Sequence, residues 1–134
     1  MRSWNDQVIE GFRGSGRAGY GQWGGHLLLL TVRGRRSGER RTYPLAFHKD
    51  GGRYVVAASK GGAPTHPEWY RNLVAHPDVT VEAEGEEFRA RATPLAEGPE
   101  RDRLWEQHAT SFPGFRDYEK KTARTIPVVV LERA

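Results

Sequence analysis

Arg33, Arg35, Arg36, Arg40 and Arg41 fall within nine residues, and Glu39 is the one acid among them. Like charges at that density repel, so the turn Arg35-Arg36-Ser37-Gly38 reads as the seat of an anion, phosphorylated or carrying several carboxylates. Backbone amides and the Ser37 hydroxyl make a concave donor surface, while Arg35, Arg36 and Arg41 add charge and forked hydrogen bonds matched to phosphate. Alone, such a turn is a solvated hairpin tip. It is followed, however, by Ala57-Ala58-Ser59-Lys60-Gly61-Gly62, two small residues, a hydroxyl and a cation at a strand end. Small side chains let a flat ring approach the backbone, and a glycine pair lets a loop wrap a ligand. Trp69-Tyr70-x-Asn72 then adds an aromatic wall and an amide, although Trp69 by itself fits a core tryptophan better.

Other chemistries find less support. The chain has no cysteine, which removes disulfides, thiolate catalysis and sulfur-rich zinc sites. Its histidines at 26, 48, 66, 76 and 108 show no metal-ligand spacing, and no metal is expected. Ser37, Ser59 and Ser111 lack a nucleophile elbow. Gly14-Ser-Gly-Arg-Ala-Gly19 matches a dinucleotide fingerprint in letters, yet follows a helical pattern rather than a strand. Net charge is +4, but the arginines concentrate at one turn, which favours a local anion site over a nucleic-acid track.

These residues need a scaffold, and 134 residues suit one domain, 1–134, with no internal boundary. Residues 3–13 place Trp4, Val8, Ile9 and Phe12 at helical spacing, beside Arg2 and Arg13, in an amphipathic helix. That helix is expected to lie over the domain, with peripheral membrane contact as the alternative. Gly11–Gly25 reads as a loose glycine-rich linker, so residues 1–25 form a helix plus linker. Strands are expected at 26–33, 40–48 and 53–59, the last two joined through Asp50-Gly51-Gly52. Thr65-His-Pro-Glu68 has the form of a capping box before a helix over 66–75 that buries Trp69, Leu73 and Val74. A hairpin over 79–83 and 87–93, helices over 99–109 and 115–121, and a strand over 126–131 complete the pattern. Six strands in hairpins with inserted helices give an α+β fold, a mostly antiparallel sheet curled into a barrel. The longest apolar runs, Leu27–Leu30 and Pro127–Leu131, fall well short of a bilayer span, and no secretory signal is present, so a cytoplasmic protein is expected.

In order, Leu-Leu-Thr-x-x-Gly-Arg-x-Ser-Gly, Arg-x-x-Pro-Leu, Val-Ala-Ala-Ser-Lys-Gly-Gly, Pro-x-Trp-Tyr-x-Asn-Leu and Lys-Thr-x-Arg-x-Ile-Pro-Val form a joint pattern over about residues 4–132. It resembles the deazaflavin-dependent nitroreductase family, the quinone-reductase branch of the flavin/deazaflavin oxidoreductases. The resemblance implies a split β-barrel like that of the flavin reductases and pyridoxamine-phosphate oxidases, binding the 8-hydroxy-5-deazaflavin coenzyme F420. It places Arg35, Arg36, Ser37, Gly38 and Arg41 at the coenzyme phosphate and glutamyl tail, with Pro44 lining the site. Ala58, Ser59, Lys60, Gly61, Gly62, Trp69 and Tyr70 would contact the deazaflavin. Relatives that reduce nitroimidazoles carry tyrosines before the last strand, where this chain has Phe112, Phe115 and Tyr118. Those three would line a more apolar acceptor pocket, favouring quinones over nitroimidazoles.

The expected reaction is hydride transfer from the reduced deazaflavin to a small flat acceptor, with Ser59 or Tyr118 orienting a carbonyl or relaying a proton. The alternatives are a flavin mononucleotide (FMN) oxidoreductase on the same barrel and a non-catalytic deazaflavin carrier. A homodimer stays open.

Overall fold

Seven residues rich in leucine, Leu27–Arg33, form β1, a strand covered on both faces. Leu28, Leu30 and Val32 point into one buried cluster with Phe47, Val56, Leu73 and Val129, while Leu27 and Leu29 join a second with Val8 and Phe12. The computed structural model describes residues 3–134, so Arg2, read with the N-terminal helix, lies outside the described residues. Around β1 run β2 (Arg40–Ala46), β3 (His48–Asp50), β4 (Arg53–Ala57), β5 (Asp78–Ala83), β6 (Glu86–Leu95) and β7 (Val128–Arg133). All pair antiparallel in the order β2-β1-β5-β6-β7-β4-β3.

The expected second strand is thus two strands at opposite edges of one sheet. The Phe47 amide donates to the His26 carbonyl at 2.8 Å, ending the pairing with β1, and His48 then starts the ladder with β4. Crossing from edge to edge in one residue is possible only because the sheet curls, as a right-handed twist over seven strands demands. The α+β split-barrel expectation holds, with seven strands rather than six.

Helix α1 (Trp4–Gly14) is started by a capping box, in which the Asp6 amide donates to Ser3 Oγ at 3.1 Å and the Ser3 amide to Asp6 Oδ2 at 3.3 Å. It lays Val8 and Phe12 on Leu27 and Leu29, leaving Trp4 exposed. The helix therefore docks on its own domain. The segment after it is no loose linker: a Cβ on Gly11 would sit 2.2 Å from the Tyr20 ring, and one on Gly19 2.3 Å from the Gly24 carbonyl. Glycine is needed there for close approach rather than for slack. Arg13 donates to Glu82 through Nε and Nη2 at 2.9 and 2.8 Å, and Arg17 Nε adds a third bond at 2.9 Å. Burial alone would raise the Glu82 pKa, but these arginines hold it below the usual carboxylate value.

Helix α2 (Glu68–Ala75) starts two residues later than expected and has no side-chain cap at Pro67. The expected box fails because Glu68 is drawn to Arg35 at 2.7 Å, while Thr65 Oγ1 accepts from Lys60 at 3.4 Å. Trp69 and Leu73 are buried as expected, but Val74 is exposed. Helices α3 (Pro99–Ser111) and α4 (Gly114–Lys121) pack Leu104, Trp105, Phe112 and Phe115 on the outer side of β4 and β7. No helix among the described residues is long and apolar enough to cross a membrane.

Between β3 and α3 lies a buried histidine pair, His48 Nδ1 and His108 Nδ1 at 2.8 Å. Gln107 Oε1 accepts from His48 Nε2 at 3.1 Å, so His48 Nδ1 accepts from His108 and leaves His108 Nε2 bare and without a partner among the described residues. Burial, and then the charge of His48, push the His108 pKa down to about 3. A base with a lowered folded pKa stabilises the fold above its unfolded value near 6.5 and withdraws that stability as pH falls toward the folded value. Between pH 6.5 and 5, at about 1.36 kcal/mol per unit, the loss is on the order of 2 kcal/mol. His108→Gln, which keeps a donor but does not titrate, should make urea-measured stability shallower across that window. An equally steep fall in the variant would contradict the assignment.

Candidate functional site

Four antiparallel steps separate β1 from β4, so the two strands point the same way and deliver their C-terminal turns to one end of the barrel. The arginine turn leaves β1 there, the Ser59 turn leaves β4 there, and α2 runs beside the former. Gly34 and Gly38 set the first turn: the Gly34 amide donates to Glu39 O at 2.7 Å and the Gly38 amide to Gly34 O at 3.0 Å, with Gly38 left-handed at φ 74°. Ser37 Oγ accepts from the Glu39 amide at 3.1 Å, which leaves its own proton free to donate. A cleft of about 410 Å³ opens here, lined by Arg35, Arg36, Ser37, Arg41, Tyr43 and Asn72 among others.

The structure divides labour among the arginines. The Arg35 amide and guanidinium both donate to Asn72 Oδ1, at 3.1 and 2.9 Å, and the guanidinium also reaches Glu68 at 2.7 Å. Arg35 thus fastens the turn to α2, and its hydrogen bond and then its charge hold the Glu68 carboxyl below its usual pKa. Arg40 donates to Thr80 Oγ1 at 3.1 Å. Arg41 lies 3.5 Å from Glu39, both largely exposed, a contact of little energetic weight. Arg36 has no hydrogen-bond or ion-pair partner among the described residues and is exposed at the cleft.

The Ser59 turn is closed by the Gly62 amide on Ser59 O at 3.0 Å and the Ala63 amide on Lys60 O at 3.1 Å. Lys60, Gly61 and Gly62 are successively left-handed, at φ 48°, 63° and 85°. For lysine that conformation costs about 1–3 kcal/mol and persists only where neighbours enforce it. Gly62 packs under α4, where a Cβ would lie 2.9 Å from the Tyr118 carbonyl. From the other side Arg124 donates to Ala63 O at 2.9 Å, Ser59 O at 2.8 Å and Ala58 O at 3.2 Å, and contacts His66 Nδ1 at 3.0 Å. The Ser59 hydroxyl makes no hydrogen bond among the described residues.

Several expected site residues lie elsewhere. Pro44 faces away from Tyr43, toward α1, and lines a separate pocket of about 280 Å³ with Trp4, Val8 and Trp23. Ala58, Trp69 and Tyr70 are buried in the barrel interior, which makes them walls of the core. Phe112 and Phe115, expected to face the acceptor, are only 9% and 7% exposed. Phe112 is edge-on to Trp23 and His108 at 5.4 and 5.1 Å, and Phe115 to His108 and Tyr118 at 4.6 and 5.2 Å. Aromatic rings pack this way to fill space between helix and sheet, so the structure removes the reason for expecting an apolar acceptor pocket from them. Tyr118 is half-buried and borders the Ser59 turn through its backbone.

Sequence reasoning missed Arg124 and Tyr43. Arg124 stood in the last quoted motif, but nothing local shows which carbonyls it will find. A larger cleft, about 860 Å³, opens at the opposite end between β3 and α3, lined by His26, His48, Arg103 and Gln107 among others. Its cations are already paired, Arg103 with Asp50 and Glu100, and Lys49 with Glu84, so it offers an anion less than the arginine cleft does. Among the described residues no group of three or more ligating side chains is placed to hold a metal.

Comparisons with known proteins bear on the family and the fold. The family model described as F420H(2)-dependent quinone reductase matches residues 5–133. An F420H(2)-dependent quinone reductase of Mycobacterium tuberculosis is 39% identical over 108 residues, 79% of this chain and 72% of the relative. The solved structure of an F420-H2 dependent reductase superposes with a TM-score of 0.73 at 38% identity, covering 80% of this chain and 94% of the other. A Listeria innocua protein provisionally described as a pyridoxamine 5'-phosphate oxidase shares the fold alone, with a TM-score of 0.57 at 12% identity over 81% of this chain and 83% of the other.

The two glycines of the Ser59 turn should respond differently to alanine. Gly61 faces open space and meets only the left-handed backbone penalty, about 1–2 kcal/mol. Gly62→Ala must also displace α4, so it should lower the melting temperature clearly more than Gly61→Ala. Equal losses would mean that α4 does not rest on this turn.

Proposed function

This chain belongs to the F420H(2)-dependent quinone reductase family, and from that premise we propose that the end of the barrel carrying the arginine and Ser59 turns holds the coenzyme. The enzyme is an oxidoreductase, and the relatives' shared dependence on F420H(2) favours the deazaflavin over FMN. The observation that carries the site assignment is Arg36: an exposed cation with no partner among the described residues, in a concave cleft beside the weakly paired Arg41 and a Ser37 hydroxyl with its proton free. That donor set fits the anionic end of the coenzyme. The Ser59 turn at the same end of the sheet fits the ring end.

When bound, the reduced deazaflavin supplies the hydride that a quinone accepts. The protein's contribution is placement. Arg36 and Arg41 anchor the anionic end, while Arg35, tied to Glu68 and Asn72, keeps the turn rigid. The Ser59 turn, held between α4 and Arg124, presents a hydroxyl with no partner among the described residues and the Lys60 ammonium. Ser59 Oγ orients an acceptor carbonyl, and Tyr118, beside the turn, is the second hydroxyl available to move the accompanying proton.

Arg36→Ala and Arg41→Ala should each weaken coenzyme affinity tenfold or more, because a lost charge-assisted hydrogen bond costs about 1.5–3 kcal/mol. Neither should shift the melting temperature appreciably, whereas Arg35→Ala should lower both. Fluorescence titration with the deazaflavin checks this, and unchanged affinity in both Arg36→Ala and Arg41→Ala would remove the anion site. Ser59→Ala should reduce kcat/KM for menadione about tenfold, one ordinary hydrogen bond, with coenzyme affinity held within a few-fold. Unchanged turnover in that variant would take Ser59 out of the reaction.

A further inference from the structure

We infer that Arg124 is a positioning residue that fixes the Ser59–Ala63 turn in the form the coenzyme meets, an inference resting on the assignment of that turn to the coenzyme. The guanidinium reaches four acceptors on three sides: the carbonyls of Ala58, Ser59 and Ala63 and the Nδ1 of His66, between 2.8 and 3.2 Å. Each of these acceptors is neutral. No carboxylate forms an ion pair with Arg124 among the described residues, so its charge is not what brings it here. Burial lowers its pKa from the ordinary arginine value, and a half-buried cation without a counter-ion is tolerated only because every N–H direction used finds an acceptor.

The turn needs such a clamp. Its two internal hydrogen bonds must hold three successive left-handed residues, one of them Lys60. Arg124 ties the residues before the turn, Ala58 and Ser59, to those after it, Ala63 and His66, and so sets its opening. Only the planar guanidinium has donors diverging widely enough to do this, and an ammonium on a lysine stem cannot span the same acceptors. Arg124 also leads into Ile126–Val128, where the Ala58 amide donates to the Pro127 carbonyl at 2.9 Å. The turn is thus registered to β7 on one side and to α2 through His66 on the other. The His66 ring packs at a tilt against Tyr70, with ring centroids 5.0 Å apart.

Arg124→Lys, which keeps the charge, and Arg124→Met, which keeps the stem, test this in two ways. In the ligand-free protein, the amides of Gly62 and Ala63 should exchange hydrogen at least tenfold faster in both variants, while those of Val56 and Val129 in the barrel keep their wild-type rates. In steady state, KM for the reduced deazaflavin should rise about tenfold or more in both, with KM for menadione unchanged within about threefold. A merely structural role would speed exchange throughout the barrel, at Val56 and Val129 as well, and would alter the two KM values together. Full rescue by lysine, unchanged exchange at Gly62 and Ala63, or faster exchange with an unchanged coenzyme KM would each overturn the inference. Failure of the wild-type protein to bind the deazaflavin would instead overturn the proposed function, and the exchange comparison would still decide whether Arg124 holds the turn.

Discussion

At Phe47 the chain leaves one edge of the sheet and, one residue later, joins the other, and the rest of the molecule is arranged around that crossing. The Phe47 amide is satisfied by His26 O at 2.8 Å and its ring is buried against Tyr54, so a residue with no ladder partner is still fixed. Curling the sheet this far lets β2 and β3, one residue apart in sequence, form its two opposite edges. Because β1 and β4 then run in the same direction, the turns that follow them open at the same end. An arginine turn and a serine-glycine turn, separated by some twenty residues of strand and hairpin, become the two halves of the proposed site. No contact between the two turns is needed for them to open at the same end, since the strand count sets the direction of both.

Electrostatics at that end follows a second constraint, the supply of acids. Elsewhere in the protein arginines meet carboxylates, as Arg13 and Arg17 do at Glu82 and Arg103 does at Asp50. Around the arginine turn, Glu68 is taken by Arg35 and Glu39 reaches Arg41 only at 3.5 Å. Arg124 adds a cation held, among the described residues, by neutral acceptors. The excess positive charge is therefore local and follows from which acids the fold withholds, in keeping with an anionic coenzyme and with the family to which the chain belongs.

Strand and helix positions were legible because alternation and helical spacing are local properties, and most limits fell within a residue or two. The arginine turn was legible because its charge and glycines sit within a few residues. What escaped depended on partners remote in sequence. The break at Phe47 interrupts an otherwise continuous strand pattern, and only the opposite edge explains it. Glycines 11 and 19 looked like slack, yet each makes room for a neighbour, the Tyr20 ring and the Gly24 carbonyl. The capping box at Thr65–Glu68 lost its glutamate to Arg35, and Phe112 and Phe115 turned inward onto His108. Arg124 and the His48–His108 pair show the same limit: residue type announces what a side chain can do, and the fold decides what it reaches.

The central claim is that this one end of the barrel receives the coenzyme. Backbone amide chemical-shift mapping during titration of the isotope-labelled protein with deazaflavin F420 tests it most directly. Perturbations should group at residues 34–43, 58–63 and 118–124, with the cleft around His48, Arg103 and Gln107 unaffected. Perturbations concentrated at that opposite cleft, with the arginine and Ser59 turns silent, would contradict it.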